Sequence, residues 1–469
     1  MTGGGARGRL SRTACGAIVL VSLAAAPAAA ASPRVASLAI EGRQALDGGY
    51  ERVFGTVRGE ASGRERVRGL PASGLAYTAQ FELIRPRREA RVRLLLVEAE
   101  NRGSPLVLNA LSPGSSASGA PATAIYPRSV SRFLRAERLA YARVQWQTGI
   151  AAGVPVSAQG VGEVIVRDFG SRLVRRYPRR ALVGVSQGAF FVDTFIAEGF
   201  NARPDGGRAY AQALSLDGNG NWMAINQLAG SGAQNAYLRP NGRPLAYARM
   251  LRRPRTDPRL VDVAGYTDFY RLRAGLTDLK APPRGVRRYD WPSPHQSFGP
   301  SIVFGGLGCN GGRPIPLNPL RSGPYLRALV RGMARGRLPA SRRFRLGPHP
   351  RTSPGFNGLP GVAVPVPRTD RFAQPVGGVR FPELDLPLGR LEPVSLPPSV
   401  TTSSVAVCGN SGGFMPFSAT TVARRYSRAA YLRRYRQGLI ALERGSYLRR
   451  ADRRSMLAAA AADYRAARR

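Results

Sequence analysis

RALVGVSQGAFFVDTFIAEGFN, residues 180–201, carries the most informative structural pattern in the chain. Its first part, Ala181–Val185, is a short continuous apolar run, which is typical of a parallel strand covered on both faces. Phe191 and Phe195 then recur at helical spacing, and Gly199 is a typical helix terminator. The stretch therefore predicts a buried strand, a tight turn and a helix.

The turn between these two elements carries Gly184, Ser186 and Gly188 in the pattern G-x-S-x-G. On a sharp turn from strand to helix, a serine hydroxyl projects above the sheet edge, and the helix N-terminus offers backbone N–H groups to a developing oxyanion. The same string also arises by chance in a chain with 55 glycines. Because a strand precedes it and a helix follows it, we favour a nucleophile at Ser186.

The rest of the chain predicts the α/β class. Strands and helices alternate through residues 90–338, which indicates a mostly parallel central sheet with helices on both faces. Residues 32–89 are expected to be β-rich, and residues 339–469 to form a Pro/Gly-rich extension followed by helices packed on the core. The long Gly/Asn-rich connection 219–255 is expected to cap the site as a lid.

Residues 1–31 have the pattern of a cleavable signal peptide: arginines, then an apolar run, then small residues. A single membrane anchor is the alternative, but the apolar run is short for a spanning helix. We therefore expect a secreted or periplasmic protein. Cys309 and Cys408 remain outside this segment and are candidates for a disulfide, the alternative being two unrelated buried thiols.

The formal net charge of +42 at pH 7 raises the question of an anionic partner. Lys280 is the only lysine, so almost all of the basic residues are arginines, and they are spread along the chain. Because no nucleic-acid-binding motif accompanies them, we expect no specific nucleic-acid partner. Weak association with anionic surfaces of the cell envelope is compatible with this charge.

A serine nucleophile needs a base and an acid that orients the base. His295 follows a predicted strand, whereas His349, the other histidine, lies in the Pro-rich stretch, so His295 is the predicted base. Asp268 follows the preceding predicted strand and gives the chain order Ser, Asp, His. The alternative acids are Asp257, Asp262 and Asp278.

The oxyanion hole is expected to take one N–H group from Gln187, the residue after the nucleophile. A second donor is expected from the polar turn Asn101, Arg102 and Gly103, which follows a strong predicted strand. Neither a metal nor an organic cofactor is expected, because two separated histidines are too few for a zinc cluster.

These residues resemble a family of bacterial α/β-hydrolase domain proteins considered to be esterases. The elbow Gly184-Val-Ser186-Gln187 and the helix end Glu198-Gly-Phe-Asn201 carry the resemblance. Similar segments continue along almost the whole mature chain: Gly49–Gly55, Glu100–Gly103, Val166–Phe169, Val286–Tyr289, His295, Asn318–Leu320, Leu326–Leu329, Leu359–Val362, Pro382–Pro387 and Tyr435–Asp452. The resemblance implies an α/β-hydrolase fold and a serine hydrolase whose substrates are largely undefined.

The chain also departs from the family pattern. After the elbow glutamine it has Gly188-Ala-Phe190 where the family usually has Ser-Gly-Arg, so an arginine next to the nucleophile is missing. Asp268-Phe-Tyr270 stands where the family has Glu-Tyr-Trp, which supports Asp268 as the acid but with a shorter side chain. These changes concern substrate specificity more than the reaction.

The sequence thus predicts an exported enzyme that cleaves a small-molecule or polymer ester through an acyl-enzyme. An acyltransferase with the same nucleophile is one alternative. A catalytically inactive binding protein of the cell envelope is another, as is an enzyme that acts at a polymer or lipid surface.

Overall fold

Within the residues that this computed structural model describes, the central sheet has nine strands. The structure describes residues 36–65, 67, 70–88, 92–101, 103–113, 129–147, 160–221, 244–277, 282–295, 320–348, 351–353, 362–393, 410 and 412–469. These residues fall in one unit, Val35–Arg469. The predicted signal peptide, Arg102, Asp278, Cys309, His349 and Cys408 lie outside the described residues.

The strands of the central sheet are β1 (Ser37–Leu46), β2 (Tyr50–Ala61), β3 (Leu75–Pro86), β4 (Leu94–Ala99), β5 (Leu139–Val144), β6 (Arg180–Val185), β7 (Gln212–Leu216), β8 (Arg259–Gly265) and β9 (Val286–Trp291). Elsewhere in the described residues, two-stranded antiparallel sheets pair β10 (Arg351–Ser353) with β11 (Val362–Val364) and β12 (Gly389–Glu392) with β13 (Gly413–Pro416).

The helices are α1 (Leu106–Leu111), α2 (Arg132–Glu137), α3 (Val161–Arg172), α4 (Gln187–Glu198), α5 (Tyr247–Met250), α6 (Asp268–Arg271), α7 (Ala274–Thr277), α8 (Gly323–Arg335), α9 (Pro382–Asp385), α10 (Ala419–Arg425), α11 (Arg428–Arg444) and α12 (Arg453–Ala466). Among the described residues, none of the helices combines the length and the hydrophobicity needed to cross a bilayer.

The sheet order is β1-β2-β3-β5-β4-β6-β7-β8-β9, and the predicted fold class is confirmed. Strands β4 to β9 pair in parallel, whereas β1, β2 and β3 extend the sheet as an antiparallel meander that joins it at β5. Because neighbouring parallel strands all end at the same edge, the loops after β6, β7, β8 and β9 meet there.

Both faces of the parallel strands are buried, which explains their continuous apolar runs. In β4, Leu95 and Val97 pack in the cluster that contains α3 and α4, whereas Leu94 and Leu96 pack in the cluster that contains α1 and α8. The helices α11 and α12 of the C-terminal extension add their apolar side chains to this second cluster.

One end of the predicted lid belongs to the core. Tyr247 and Met250 of α5 are buried in the same cluster as α4, and Leu245 donates its backbone N–H to the carbonyl of Gly220 at 2.7 Å. Residues 244–250 therefore pack on the same hydrophobic cluster as α4. Residues 222–243 of the predicted lid lie outside the described residues.

A buried ion cluster fastens the antiparallel meander to the parallel sheet. Arg143 of β5 is fully buried and contacts the carboxylates of Glu82 and Glu100, each at 2.7 Å. Arg52 of β2 holds the other oxygen of Glu82 at 2.8 Å. Burial raises the pKa of Glu100 to about 7 against the opposing effect of Arg143.

We expect Arg143→Met to lower the free energy of unfolding by about 3–5 kcal/mol, because it leaves the buried Glu100 carboxyl group without Arg143 and leaves Glu82 with Arg52 alone of its two cations. Urea denaturation of the full chain measures the change. The control is Arg203→Met, which removes an ion pair to Asp205, a side chain that is 71% exposed, and should cost at most about 1 kcal/mol. Equal losses in the two variants would contradict a structural role for the buried cluster.

Candidate active site

Ser186 occupies the sharp turn between β6 and α4. Its backbone has φ 54° and ψ −114°, a conformation that side-chain-bearing residues rarely adopt. Its N–H group donates to the carbonyl of Leu216 at 2.9 Å, and its carbonyl accepts from Phe190 of the first turn of α4 at 2.8 Å. These bonds from the neighbouring strand and from the helix hold the strained turn in place.

The two glycines of the motif are required by close backbone contacts. A Cβ atom on Gly184 would lie 2.2 Å from the carbonyl oxygen of Gly188, and one on Gly188 would lie 2.1 Å from the carbonyl oxygen of Ala99. Both obstacles are backbone atoms, so neither can move aside. The helix N-terminus therefore packs directly on the ends of β6 and β4.

Asp268 and His295 are brought together at the same sheet edge. Asp268 begins α6 after β8, His295 follows β9, and the His295 Nδ1 atom lies 2.8 Å from Asp268 Oδ1. The second oxygen of Asp268 accepts the N–H of Gly265 at 2.8 Å, and the backbone N–H of His295 donates to Thr267 Oγ1 at 2.9 Å. Both side chains are fully buried.

Asp217 is a third residue at this point, and the sequence analysis missed it. It follows β7, has φ 61°, and its Oδ2 atom lies 3.5 Å from His295 Nδ1. It also forms a hydrogen bond with Asp268. The sequence feature that could have identified Asp217 is its position: it is an acidic residue directly after β7, the strand that pairs with β6.

The charges around His295 act in opposite directions on its pKa. Burial lowers the pKa of His295, the Asp268 carboxylate raises it, and Arg271 lowers it, with a net shift below the ordinary value. Burial raises the pKa of Asp268, but His295, the hydrogen bond from Asp217 and the N–H of Gly265 together hold it below the ordinary value. At neutral pH, the imidazole of His295 is therefore neutral and the neighbouring Asp268 is ionised.

The predicted oxyanion loop lies against the elbow. The Asn101 side chain donates to the carbonyl of Val185 at 3.2 Å, which ties the loop to the end of β6. The backbone N–H of Asn101 donates to Ser104 at 3.1 Å and is thus already used, and Gly103 lies in the turn with φ 77°. Gln187 is the first residue of α4, where backbone N–H groups precede the hydrogen-bond ladder of the helix.

The alternative acids lie elsewhere. Asp262 is buried in β8 and is bound by Arg288 and by the Tyr247 hydroxyl, each at 2.5 Å. Asp257 accepts the backbone N–H of Arg253 at 2.5 Å. Neither residue contacts His295 among the described contacts.

A buried polar network underlies the loops that carry the site. Arg288 of β9 bridges Asp262 and Asp290, the latter at 2.6 Å, and Asp290 accepts the N–H of Phe344 at 2.8 Å. Asp193 of α4 accepts the backbone N–H of Gly220 at 2.9 Å, just beyond Asp217. Arg288 therefore links strands β8 and β9, and Asp193 separately links α4 to the loop after β7.

Asp217, Asp268 and His295 are also the residues that could hold a metal ion, within the part of the chain that the structure describes. Their candidate ligand atoms all lie within 4.8 Å of one another. Hydrogen bonds among the three side chains account for the same proximity, and the sequence expectation of no metal stays a prediction.

We expect the free energy of unfolding of Ser186→Gly to be about 1 kcal/mol higher than that of Ser186→Ala, because glycine adopts the positive φ without steric cost. Thermal or urea denaturation of both variants measures the difference. The same pair of substitutions at Ser171, inside α3, is the control, where glycine should be the less stable by about 0.5–1 kcal/mol. The same sign at both positions would contradict strain at Ser186.

The sequence profile of the Alpha/beta hydrolase domain family matches residues 161–458, which is more than half of the chain and includes Ser186, Asp217, Asp268 and His295. A search of curated proteins finds no match to the sequence.

Three similar solved structures share 10–12% sequence identity with the chain, each with a TM-score of 0.28. They are an α/β serine hydrolase without a lid from Xanthomonas campestris (50% of this chain, 85% of that chain), a cold-adapted esterase from an Arctic intertidal metagenomic library (55% and 94%), and a glucuronoyl esterase from Teredinibacter turnerae (50% and 62%). Likeness at this level carries no argument about activity. The matched profile is what assigns the family, and the chain belongs to the Alpha/beta hydrolase domain family.

Proposed function

We propose that the protein is an exported serine hydrolase that cleaves a carboxylic ester or a related acyl bond. The observation that carries the proposal is the buried hydrogen bond of 2.8 Å between Asp268 and His295, at the sheet edge where the strained Ser186 turn also emerges. An acid, an imidazole and a serine on loops that meet at one edge are the components of acyl transfer through a covalent intermediate.

In the proposed reaction, His295 takes the proton of the Ser186 hydroxyl as the oxygen attacks the acyl carbonyl. The lowered pKa of His295 keeps the imidazole neutral and able to accept that proton at neutral pH. Asp268 fixes the ring through Nδ1 and stabilises the imidazolium that forms. His295 then protonates the leaving alcohol, and water attacks the acyl-enzyme by the same route in reverse.

The backbone N–H of Gln187 is the proposed oxyanion donor at the start of α4, where the helix dipole also favours negative charge. For the second donor, Gly103 and Arg102 remain from the predicted loop, because the Asn101 N–H is bonded to Ser104. Asn101 acts instead as the residue that holds this loop on the elbow through the carbonyl of Val185.

Asp217 is proposed as a positioning residue that carries the proton shared with Asp268. As a donor to Asp268, it keeps the charged carboxylate directed at His295 and lowers the basicity of that carboxylate.

Ser186→Ala and His295→Ala should each lower the hydrolysis of short-chain aryl esters by about 10³-fold or more, since each removes a group of one catalytic unit. Labelling by a fluorophosphonate probe should disappear in Ser186→Ala. Ser171→Ala is the matched control, because its hydroxyl bonds only within its own helix in the described contacts, and it should retain labelling and activity. Wild-type protein that neither labels nor hydrolyses any ester above the Ser186→Ala background would refute the proposal.

The pH profile separates the roles of the two acids. In the wild type, the acid limb of kcat/KM should lie below pH 6.5, because the pKa of His295 is lowered and the base must be neutral. The amide group introduced by Asp217→Asn can still donate a hydrogen bond to Asp268. This variant should therefore keep kcat/KM, and the pH of its acid limb, near the wild-type values. Asp217→Ala removes the donor, so the acid limb should move to higher pH and the rate should fall about tenfold.

Asp268→Asn is the comparison for Asp217. It removes the charge that stabilises the imidazolium and should cost about 10³-fold or more in kcat. Loss of the same size in Asp217→Asn and Asp268→Asn would show that Asp217, rather than positioning its neighbour, supplies the charge itself.

A further inference from the structure

We propose that a cleft at the opposite edge of the sheet binds a small soluble ligand that carries two or more phosphate groups. The cleft has a volume of about 630 Å³ and lies at the amino ends of β6 to β9, whereas Ser186 and His295 lie at the carboxyl ends. We call it the amino-edge cleft. Its basic residues are Arg179, Arg208, Arg259, Arg284, Arg287 and Arg337.

The strand register places several of these side chains on one face of the sheet. Gln212 pairs with Arg259, and Val261 pairs with Arg287. Paired residues and residues two apart along a strand share a face, so Arg259 and Arg287 point to the side where Val261 packs on α8. The chain therefore directs two arginines from neighbouring strands into the same space.

The end of α8 leaves this corner of the sheet uncovered. The helix ends at Arg335, Gly336 follows with φ 70°, and the chain then turns away at Arg337 and Leu338. The apolar face of the sheet is covered by α8 up to Met333, and beyond it the arginines line an open recess. The cleft is thus a consequence of where one helix stops.

Among the described residues, little negative charge lies beside the arginines of the cleft, Asp257 near Arg208 being an exception. Basic residues are 70 of the 469 residues of the chain but six of the fifteen that line the cleft, and none of the fifteen is acidic. None of the six arginines forms an ion pair with a described carboxylate. By contrast, the buried Arg143 and Arg288 each contact two carboxylates. A concentration of like charge with little counter-charge is what a multivalent anion would neutralise.

Three of the arginines donate to backbone carbonyls, among them Arg287, whose Nη1 atom lies 3.4 Å from the carbonyl oxygen of Val286. Arg179 donates to the carbonyl of Met333 at 3.0 Å, and Arg208 donates to the carbonyl of Asp257 at 3.2 Å. Each contact uses one N–H group and leaves the rest of the guanidinium fork able to bind an oxyanion. Arg259, Arg284, Arg287 and Arg337 are exposed to solvent.

This arrangement matches phosphate chemistry in a small ligand. Guanidinium groups bind phosphate oxygens through paired hydrogen bonds, and several of them around one recess favour adjacent phosphates over a single carboxylate. The volume lies in the range of about 300–1,000 Å³ that is usual for small-molecule sites. A bilayer or a nucleic-acid duplex presents phosphates on an extended surface. These arginines instead surround a recess, which favours a small ligand.

Calorimetric titration of the full chain with inorganic tripolyphosphate tests the proposal. We expect saturable binding at one site, weakened at least about tenfold in Arg259→Gln/Arg287→Gln. The matched control is Arg433→Gln/Arg436→Gln, which removes the same charge from the exposed side of α11 and should change the dissociation constant less than about twofold. Circular dichroism confirms that both variants fold, and Ser186→Ala should bind as the wild type does.

Three results would overturn the proposal. The first is absence of saturable tripolyphosphate binding in the wild type. The second is equal weakening in the cleft and control variants, which would assign binding to the total charge of the protein. The third is binding to phosphatidylglycerol vesicles that the cleft variant loses, without any tripolyphosphate binding, which would assign these arginines to a membrane surface.

Discussion

The contact between the start of α4 and the end of β4 is the constraint on which the site depends. No Cβ atom fits between Gly188 and the carbonyl of Ala99, or between Gly184 and the carbonyl of Gly188, so the helix sits on the sheet backbone itself. Between these two glycines, Ser186 has a positive φ. The same contact places the first N–H groups of α4 beside the serine. The strained turn and the positive end of the helix dipole therefore lie at the same point of the structure.

The parallel sheet does the remaining positioning. Each of the strands β7, β8 and β9 is followed by one polar residue of the site, and the strands are neighbours, so Asp217, Asp268 and His295 converge without any long loop. Beneath them, Arg288 holds two acids from adjacent strands. Because this layer is buried and ionic, the loops above it rest on a base that can shift little without exposing unpaired charge.

The fold class and the meeting of Asp268 with His295 could be predicted because they follow from local pattern and chain order. The apolar runs predict strands, and scarcity of histidine leaves few choices of base. Asp217 could not be found in the same way, since its role depends on a spatial neighbour, Asp268, that is far along the chain. The hydrogen bond from the Asn101 N–H to Ser104 and the burial of one end of the expected lid also depend on tertiary packing. The periodicity of the sequence does not encode such packing.

The link between Glu82 and Arg143 has a consequence for how the chain is made. The two residues are 61 positions apart, and β3 pairs with β5 while β4 lies on the far side of β5. A chain that emerges from its N-terminus therefore completes the meander β1-β2-β3, in which Arg52 already contacts Glu82, before Arg143 is made. Docking of the meander must wait for β5, so the order of synthesis sets a late assembly step, and the meander's inner edge stays open until then.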